Sequence, residues 1–161
     1  MSGIRDHAGR DRGPLIRRGD APQAEGASPE DRTAVVALWR VCDLTRPWND
    51  PDRDFTQALE GVTSAILIVR DGDTIAASVM VGFDGHRGWV YYLAVAPDVR
   101  RGGLGRALMV AAEAWLVDRN APKIQLMVRD SNEAASAFYT TLGFERQAVA
   151  TWGRFLDGKA G

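Results

Sequence analysis

A loop rich in glycine and arginine, followed by an apolar helical pattern, has the composition of a phosphate-binding site. Its residues, in order, are Arg100, Arg101, Gly102, Gly103, Leu104, Gly105 and Arg106. Glycines let backbone N–H groups approach a ligand closely, and a helix N-terminus has roughly half a positive charge. Such a place binds phosphate groups. An ordinary turn of the same composition is the alternative for the loop taken alone.

Two standard nucleotide-binding patterns fit this loop poorly. A Walker A loop needs Lys-Ser or Lys-Thr after its last glycine, whereas Arg106 and Ala107 follow here. A dinucleotide fingerprint needs a third small residue after Gly103-x-Gly105, but Leu108 stands there. That fingerprint also belongs to the first strand–helix turn of its fold, and this loop comes after three predicted strands. Both nucleotide interpretations are therefore weakened.

Two segments of the chain together resemble the GNAT superfamily of acyl-CoA-dependent N-acetyltransferases. Arg100-x-x-Gly103-x-Gly105, preceded by Leu93-Ala94-Val95, is similar to the family's motif A. Asn132-x-x-Ala135-x-x-Phe138-Tyr139-x-x-Leu142-Gly143-Phe144 is similar to its motif B. Residues 42–51 and 84–88 resemble the small bacterial YpeA-type branch. The resemblance covers roughly residues 15–156, and two motifs in the right order are more specific than either alone.

The resemblance implies how the motifs divide the work. The residues implied to bind acetyl-CoA, the co-substrate, are Leu93, Ala94, Val95, Arg100, Arg101, Gly102, Gly103, Leu104, Gly105, Arg106 and Asn132. A bulge in the family's central strand splays two parallel strands, and a strand N–H there stabilises the oxyanion. Tyr139 is implied to protonate the leaving thiolate. A buried aromatic ring packed beside Phe138 is the alternative for Tyr139.

The motifs leave the general base and the acceptor pocket unassigned. Many GNAT enzymes have a carboxylate on the central strand, where this sequence has Trp89-Val90-Tyr91-Tyr92. Candidates elsewhere are His86, Asp84 and Asp50, or a chain of water molecules. Histidine is a common general base, which makes His86 one candidate, but a turn residue is an equal alternative. Trp48 with Asp50 suits a cationic amine, and Asp84 is a further candidate for the acceptor site; core packing of Trp48 and capping of the second helix by Asp50 are the alternatives.

The hydrophobic pattern that positions these residues alternates helices with strands, which predicts an α/β fold. Predicted helices lie near 28–42, 54–60, 103–119 and 132–142, and predicted strands at 14–18, 65–69, 74–83, 89–95, 124–128 and within 144–156. With the resemblance, the expected fold is a GNAT-like mixed sheet of about six or seven strands. Its central pair is splayed, and about four helices flank it.

Length and composition limit the classes of protein. The 161 residues, 45% hydrophobic with a net charge of −1, predict one domain at 14–157 after a disordered tail at 1–13. The balanced charge disfavours nucleic acid, and no apolar run is long enough to span a membrane. No secretory signal is present, so a cytoplasmic location is expected. One cysteine and two histidines leave too few ligands for a metal site. Monomer and homodimer both stay open.

The predicted function is acetyl transfer from acetyl-CoA to a primary amine by direct attack on the thioester. The acceptor is a small-molecule or peptide amine, which the sequence does not identify further. A non-catalytic acyl-CoA-binding regulatory module is the alternative, favoured by the missing strand carboxylate. An unrelated nucleotide enzyme using the glycine-rich loop is a third possibility.

Overall fold

The computed structural model describes residues 21–158. The elements, in chain order, are β1 (Ala24–Gly26), α1 (Arg32–Val41), α2 (Pro51–Glu60), β2 (Ser64–Asp71), β3 (Thr74–Phe83), β4 (Gly88–Val95), α3 (Leu104–Val117), β5 (Ile124–Gln125) and α4 (Glu133–Thr141). Short 3₁₀ turns at Pro29–Asp31 and Pro97–Val99 precede α1 and the glycine-rich loop. The tail predicted at 1–13 and the strand predicted at 14–18 lie outside the described residues.

The described strands form one mixed sheet in the order β1-β2-β3-β4-β5. Strands β1 to β4 pair antiparallel, and β5 runs parallel to β4. The α/β class and the four helices are confirmed, but the expected six or seven strands are wrong, because residues 21–158 form five. Residues 144–156 form no strand: apolar side chains there, such as Val149 and Trp152, are exposed, and two-residue β5 offers little edge for pairing.

The sheet is covered on both faces. Under α3 the buried side chains include Leu67, Val69, Val79, Val81, Leu108 and Met109. Under α1 and α2 they include Val35, Trp39, Phe55, Ile66 and Ile68. A strand that is buried on both faces has a continuous apolar run rather than an alternating one. This explains the Ala-Ile-Leu-Ile-Val sequence at 65–69.

Strand β4 is irregular along both of its edges. Its pairing with β3 slips by one residue, so that Tyr92 and Leu93 lie opposite the single residue Val79. Tyr92 has a φ of 53°, as expected for an extra residue in a β-bulge. On the other edge β4 pairs with β5 only at Gly88 and Trp89. Beyond these residues the two chain segments separate, which gives the expected splayed pair.

Candidate active site

The separation of β4 from the chain that follows β5 opens a cleft of about 1110 Å³. One wall is β4 at residues 90–93, and the facing wall is formed by residues 126–129 and α4. The connection between α1 and α2 lies along a third side. Of the site residues predicted from sequence, the structure brings together Trp48, Leu93, Asn132 and Tyr139 as lining residues.

Helix α4 supplies two polar side chains to the cleft. Asn132 is the N-cap of α4, and its Oδ1 accepts a hydrogen bond from the Ala135 N–H at 3.0 Å. The Nδ2 group of Asn132 therefore remains available to donate to a ligand. The ring of Tyr139 packs edge-on against Phe138 and Phe144, with centroids 5.1 and 5.7 Å away. Burial raises the pKa of Tyr139 to about 12, so that its phenol is a neutral hydrogen-bond donor at physiological pH.

The N-terminus of α3 presents unpaired backbone donors. Gly103 is the N-cap residue with a φ of 80°, and no side chain caps the helix. The first backbone hydrogen bond of the helix is donated by the Ala107 N–H to the Gly103 carbonyl, at 3.0 Å. The N–H groups of residues 104–106 therefore have no partner within the helix. A Cβ built on Gly103 has no heavy atom within 4 Å. The loop can therefore admit an anion directly onto its amides.

The other loop residues have separate roles. The side chain of Leu104 is buried in the core, and a Cβ on Gly105 would lie 3.1 Å from Phe138 Cζ, so Gly105 permits α3 to pack against α4. Arg100, Arg101 and Arg106 are exposed, and within residues 21–158 none of them forms an ion pair. The arginines and the free amides together fit the diphosphate of acetyl-CoA.

Strand β4 connects the cleft to this loop. Leu93 lines the cleft, whereas the side chain of Ala94 is buried beneath α1 and α2. The carbonyl of Val95 accepts hydrogen bonds from Arg100 Nε at 3.3 Å and from Cys42 Sγ at 3.4 Å. Cys42 itself lines the cleft, so Val95, from which the chain leads into the glycine-rich loop, lies at the edge of the cleft.

The three residues predicted as candidates for the general base do not line the cleft. Asp84 accepts hydrogen bonds from the N–H groups of Arg87 at 2.7 Å and His86 at 2.8 Å, which lower its pKa. It thereby fixes the turn between β3 and β4, and His86 is exposed in that turn. Asp50 caps α2 by accepting the Arg53 N–H at 3.1 Å. Asp84 and Asp50 thus make local structural contacts outside the lining of the cleft.

Sequence reasoning missed Asp54, an acidic residue of α2 that lines the cleft. Its Oδ2 accepts a hydrogen bond from the Tyr92 hydroxyl at 2.7 Å. Burial, and then this bond, raise the pKa of Tyr92. An acid in the first turn of a helix is ordinary, so the pattern of α2 gives no sign of a site. The only sequence signal was that Tyr91 and Tyr92 stand in the part of the strand where many GNAT enzymes have a carboxylate.

Neither a metal site nor a membrane span is found in the described part of the chain. No three His, Cys, Asp or Glu residues within 21–158 are grouped so that they could bind a metal ion. No helix in that range has both the length and the apolar character needed to cross a bilayer.

Sequence comparisons identify the family. A model of the acetyltransferase (GNAT) family matches residues 33–144. An acetyltransferase of Pectobacterium atrosepticum is 43% identical over 127 residues, which cover 79% of this chain and 90% of the relative. An acetyltransferase of Yersinia pestis is 42% identical over the same length, with the same coverage of both chains.

Solved structures show the same fold. AAC(6′)-Iy in complex with the bisubstrate analogue CoA-S-monomethyl-acetylneamine has a TM-score of 0.73 at 14% identity, covering 84% of this chain and 99% of that one. Glucosamine-6-phosphate N-acetyltransferase from Arabidopsis thaliana has a TM-score of 0.67 at 16% identity, with the same coverage. The fold, the family match and the relatives above 40% identity agree. The chain belongs to the GNAT family of acetyltransferases, and acetyl-CoA is its acetyl donor.

Proposed function

We propose that this protein transfers the acetyl group of acetyl-CoA to a primary amine by direct attack of the amine nitrogen on the thioester carbonyl. A C–N bond forms and the C–S bond breaks, while the amine loses one proton and the CoA thiolate gains one. The observation that supports the proposal is the meeting of Leu93, Asn132 and Tyr139 in one cleft beside the free amides of α3.

Binding of the donor is assigned to three parts of the chain. The amides of residues 103–106 receive the diphosphate, and Arg100, Arg101 and Arg106 add positive charge. On the side of β5, β4 has no neighbouring strand beyond Trp89. The backbone groups of residues 93–95 on that edge can therefore pair with the amide-rich arm of CoA. Asn132 donates to the same arm through Nδ2, since its Oδ1 is occupied by α4.

Two groups are assigned to the chemistry. A bulge leaves an extra residue outside the regular ladder, so a backbone N–H at Tyr92 or Leu93 is available to stabilise the oxyanion. Tyr139 donates a hydrogen bond to the departing sulfur. Its pKa of about 12 lies above the roughly 8.5 of a thiol, so this phenol acts as a donor more than as a full acid. His86, Asp84 and Asp50 have no part in this proposal.

A primary amine is proposed as the acceptor. The names of the structural neighbours support this class, since they include a glucosamine-6-phosphate N-acetyltransferase and an aminoglycoside acetyltransferase solved with sisomicin. Both a small molecule and a peptide amine are compatible with an open cleft of this volume.

The test compares two glycines with matched geometry. Gly103 and Gly85 have φ values of 80° and 88°, and a Cβ on either meets no heavy atom within 4 Å. Alanine at each position therefore has a similar backbone cost, on the order of 1 kcal/mol. Only Gly103 lies in the proposed diphosphate site. Titration calorimetry with acetyl-CoA should show affinity about tenfold weaker for Gly103→Ala, a loss of about 1.4 kcal/mol, and unchanged for Gly85→Ala.

Turnover is measured in parallel by release of the CoA thiol in the presence of a panel of primary amines. Acetylation of at least one amine by the parent protein supports the proposal. Equal acetyl-CoA affinity in the two variants contradicts the loop assignment. Tight acetyl-CoA binding with no amine acetylated favours the non-catalytic regulatory module.

A further inference from the structure

We propose that Asp54 binds the ammonium group of the acceptor, that Tyr92 fixes the carboxylate for this purpose, and that the acceptor is a positively charged primary amine with an apolar body. This inference rests on the proposed function and specifies the substrate class of the same cleft. Asp54 is a binding residue in this scheme, and Tyr92 is a positioning residue. The bound ammonium loses one proton to solvent water before its nitrogen attacks the thioester, because an ammonium nitrogen has no free electron pair.

The carboxylate of Asp54 is connected to a rigid part of the core. Tyr92 donates to Asp54 Oδ2 at 2.7 Å. The Tyr92 ring stacks on Trp39 with centroids 4.1 Å apart and planes 9° apart. Trp39 is fully buried, and its Nε1 donates to the buried Ser78 Oγ at 3.1 Å. The phenol, and with it one carboxylate oxygen, is therefore fixed in position.

The backbone of Tyr92 supports a functional interpretation. A φ of 53° is uncommon for a bulky residue and costs free energy, and such residues cluster at binding and catalytic sites. The same bulge exposes the backbone groups assigned above to the oxyanion. Tyr92 thus places its hydroxyl toward Asp54 from the strand segment where the acetyl group is expected to lie.

The second oxygen of the carboxylate is available to a ligand. Within residues 21–158, Asp54 forms no ion pair and its Oδ1 accepts no hydrogen bond. Its side chain lines the cleft in a half-buried position. A partly desolvated carboxylate with a free oxygen favours a cationic hydrogen-bond donor.

The other cleft residues are consistent with a cationic amine that has an apolar body. Arg46 is already paired with Asp43 at 3.5 Å, and it donates to the Thr45 carbonyl at 2.7 Å. Trp48 and Tyr91, both close to half exposed, add aromatic rings to the lining. Aromatic rings beside a carboxylate are a common arrangement for recognising ammonium groups. In effect, α2 supplies the carboxylate that β4 lacks at positions 89–92.

The experiment replaces Asp54 and compares it with a neighbouring acid. Asp54→Asn keeps the shape of the side chain and removes its charge. Asp52→Asn is the matched control, because Asp52 lies on the same helix, is exposed and contacts Arg32 and Arg40 at 3.7 and 3.6 Å outside the cleft lining. The probes are 2-phenylethylamine and 2-phenylethanol, which differ in having an ammonium or a hydroxyl group. Their binding is measured by titration calorimetry with CoA present.

The parent protein and Asp52→Asn should bind the amine more tightly than the alcohol. Asp54→Asn should bind the amine about 10- to 160-fold more weakly, the range expected for a hydrogen bond to a charged group, and should bind the alcohol unchanged. Tyr92→Phe should weaken amine binding by a smaller factor and leave acetyl-CoA affinity unchanged. This variant keeps the stacked ring, so it also serves if Asp54→Asn unfolds.

Equal amine affinity in the parent and Asp54→Asn, or a parent protein with no preference for the amine over the alcohol, would overturn the inference. In either case, acetylation of other amines by the parent would leave the proposed function intact. Conversely, a loss of amine binding in Asp54→Asn that is smaller in Tyr92→Phe and absent in Asp52→Asn supports the ammonium site at Asp54, even if no acetyl transfer is detected and the proposed function fails.

Discussion

The hydroxyl of Tyr139 can be removed with little effect on packing, which makes Tyr139→Phe a sharp test of the chemistry. The phenylalanine ring retains the edge-on contacts with Phe138 and Phe144 at 5.1 and 5.7 Å. The hydroxyl forms no hydrogen bond with any residue in 21–158, so the substitution leaves no protein group there without its partner. A change in kcat would therefore report on the lost donor rather than on a damaged fold.

The size of the effect follows from the pKa of Tyr139. A proton passing from a phenol of pKa about 12 to a thiolate whose acid has a pKa of about 8.5 moves uphill by about 3.5 units, or about 4.8 kcal/mol. Full proton transfer from Tyr139 is thus disfavoured, and its contribution is that of a hydrogen bond to a charged atom. Such a bond contributes about 1.5–3 kcal/mol, so kcat should fall about 10- to 160-fold.

The assay is CoA release at saturating amine and acetyl-CoA, for the parent and Tyr139→Phe, from about pH 6 to about pH 10. The KM for acetyl-CoA should be unchanged. Because burial raises the pKa of Tyr139 to about 12, the phenol stays protonated over this range, and the ratio of the two kcat values should not vary with pH. A kcat within about twofold of the parent refutes the role. A falling limb near about pH 9–10 that only the parent shows refutes the raised pKa.

Two further predictions concern residues outside the cleft. His86→Gln should leave kcat/KM within about twofold of the parent, because His86 is exposed in a turn; a tenfold loss would restore it as a base. For Asp31, burial acts to raise its pKa, but donation from the Ser28 N–H and from Arg70 lowers it on balance. Because the pKa of Asp31 is lower in the folded protein than in the unfolded chain, its carboxylate stabilises the fold at neutral pH, and this stability is lost as the pH falls. The free energy of unfolding of Asp31→Asn, measured with urea, should therefore depend less on pH below about pH 5 than that of the parent. Identical acid limbs for both proteins would contradict this.

The parts of the fold that sequence could predict are those set by neighbouring residues. The β2–β3 hairpin follows from Gly72, whose φ is 63°, between two apolar runs. Helix α4 begins at the Asn132 cap and is followed by Gly143 with a φ of 87°, as the sequence predicted. Each of these signals depends only on residues close together in the sequence, so it can be recognised without knowledge of the tertiary structure.

The parts that could not be predicted depend on contacts between distant segments. Strand β1 has the sequence Ala-Glu-Gly, which shows no strand pattern, and exists because it pairs with residues 67–69 of β2. Predicted strand 124–128 shortens to two residues because β4 diverges from it. Asp54 and Tyr92 are 38 residues apart, and their meeting depends on how α2 packs against the sheet. A motif search cannot detect such a pair, since neither residue belongs to a motif.

Strand β4 connects the proposed binding site of the acetyl donor with the proposed binding site of the acceptor. From the bulge at Tyr92 and Leu93, β4 continues through Val95 to the loop that is assigned to the donor diphosphate. The side chain of Tyr92 reaches in the other direction, to the carboxylate proposed for the acceptor. The distance between donor and acceptor is therefore set by a few residues of one buried strand, stacked on Trp39, rather than by loops that move independently. Such rigidity is what direct attack requires, because the nitrogen and the carbonyl carbon must be held at close approach before any bond forms.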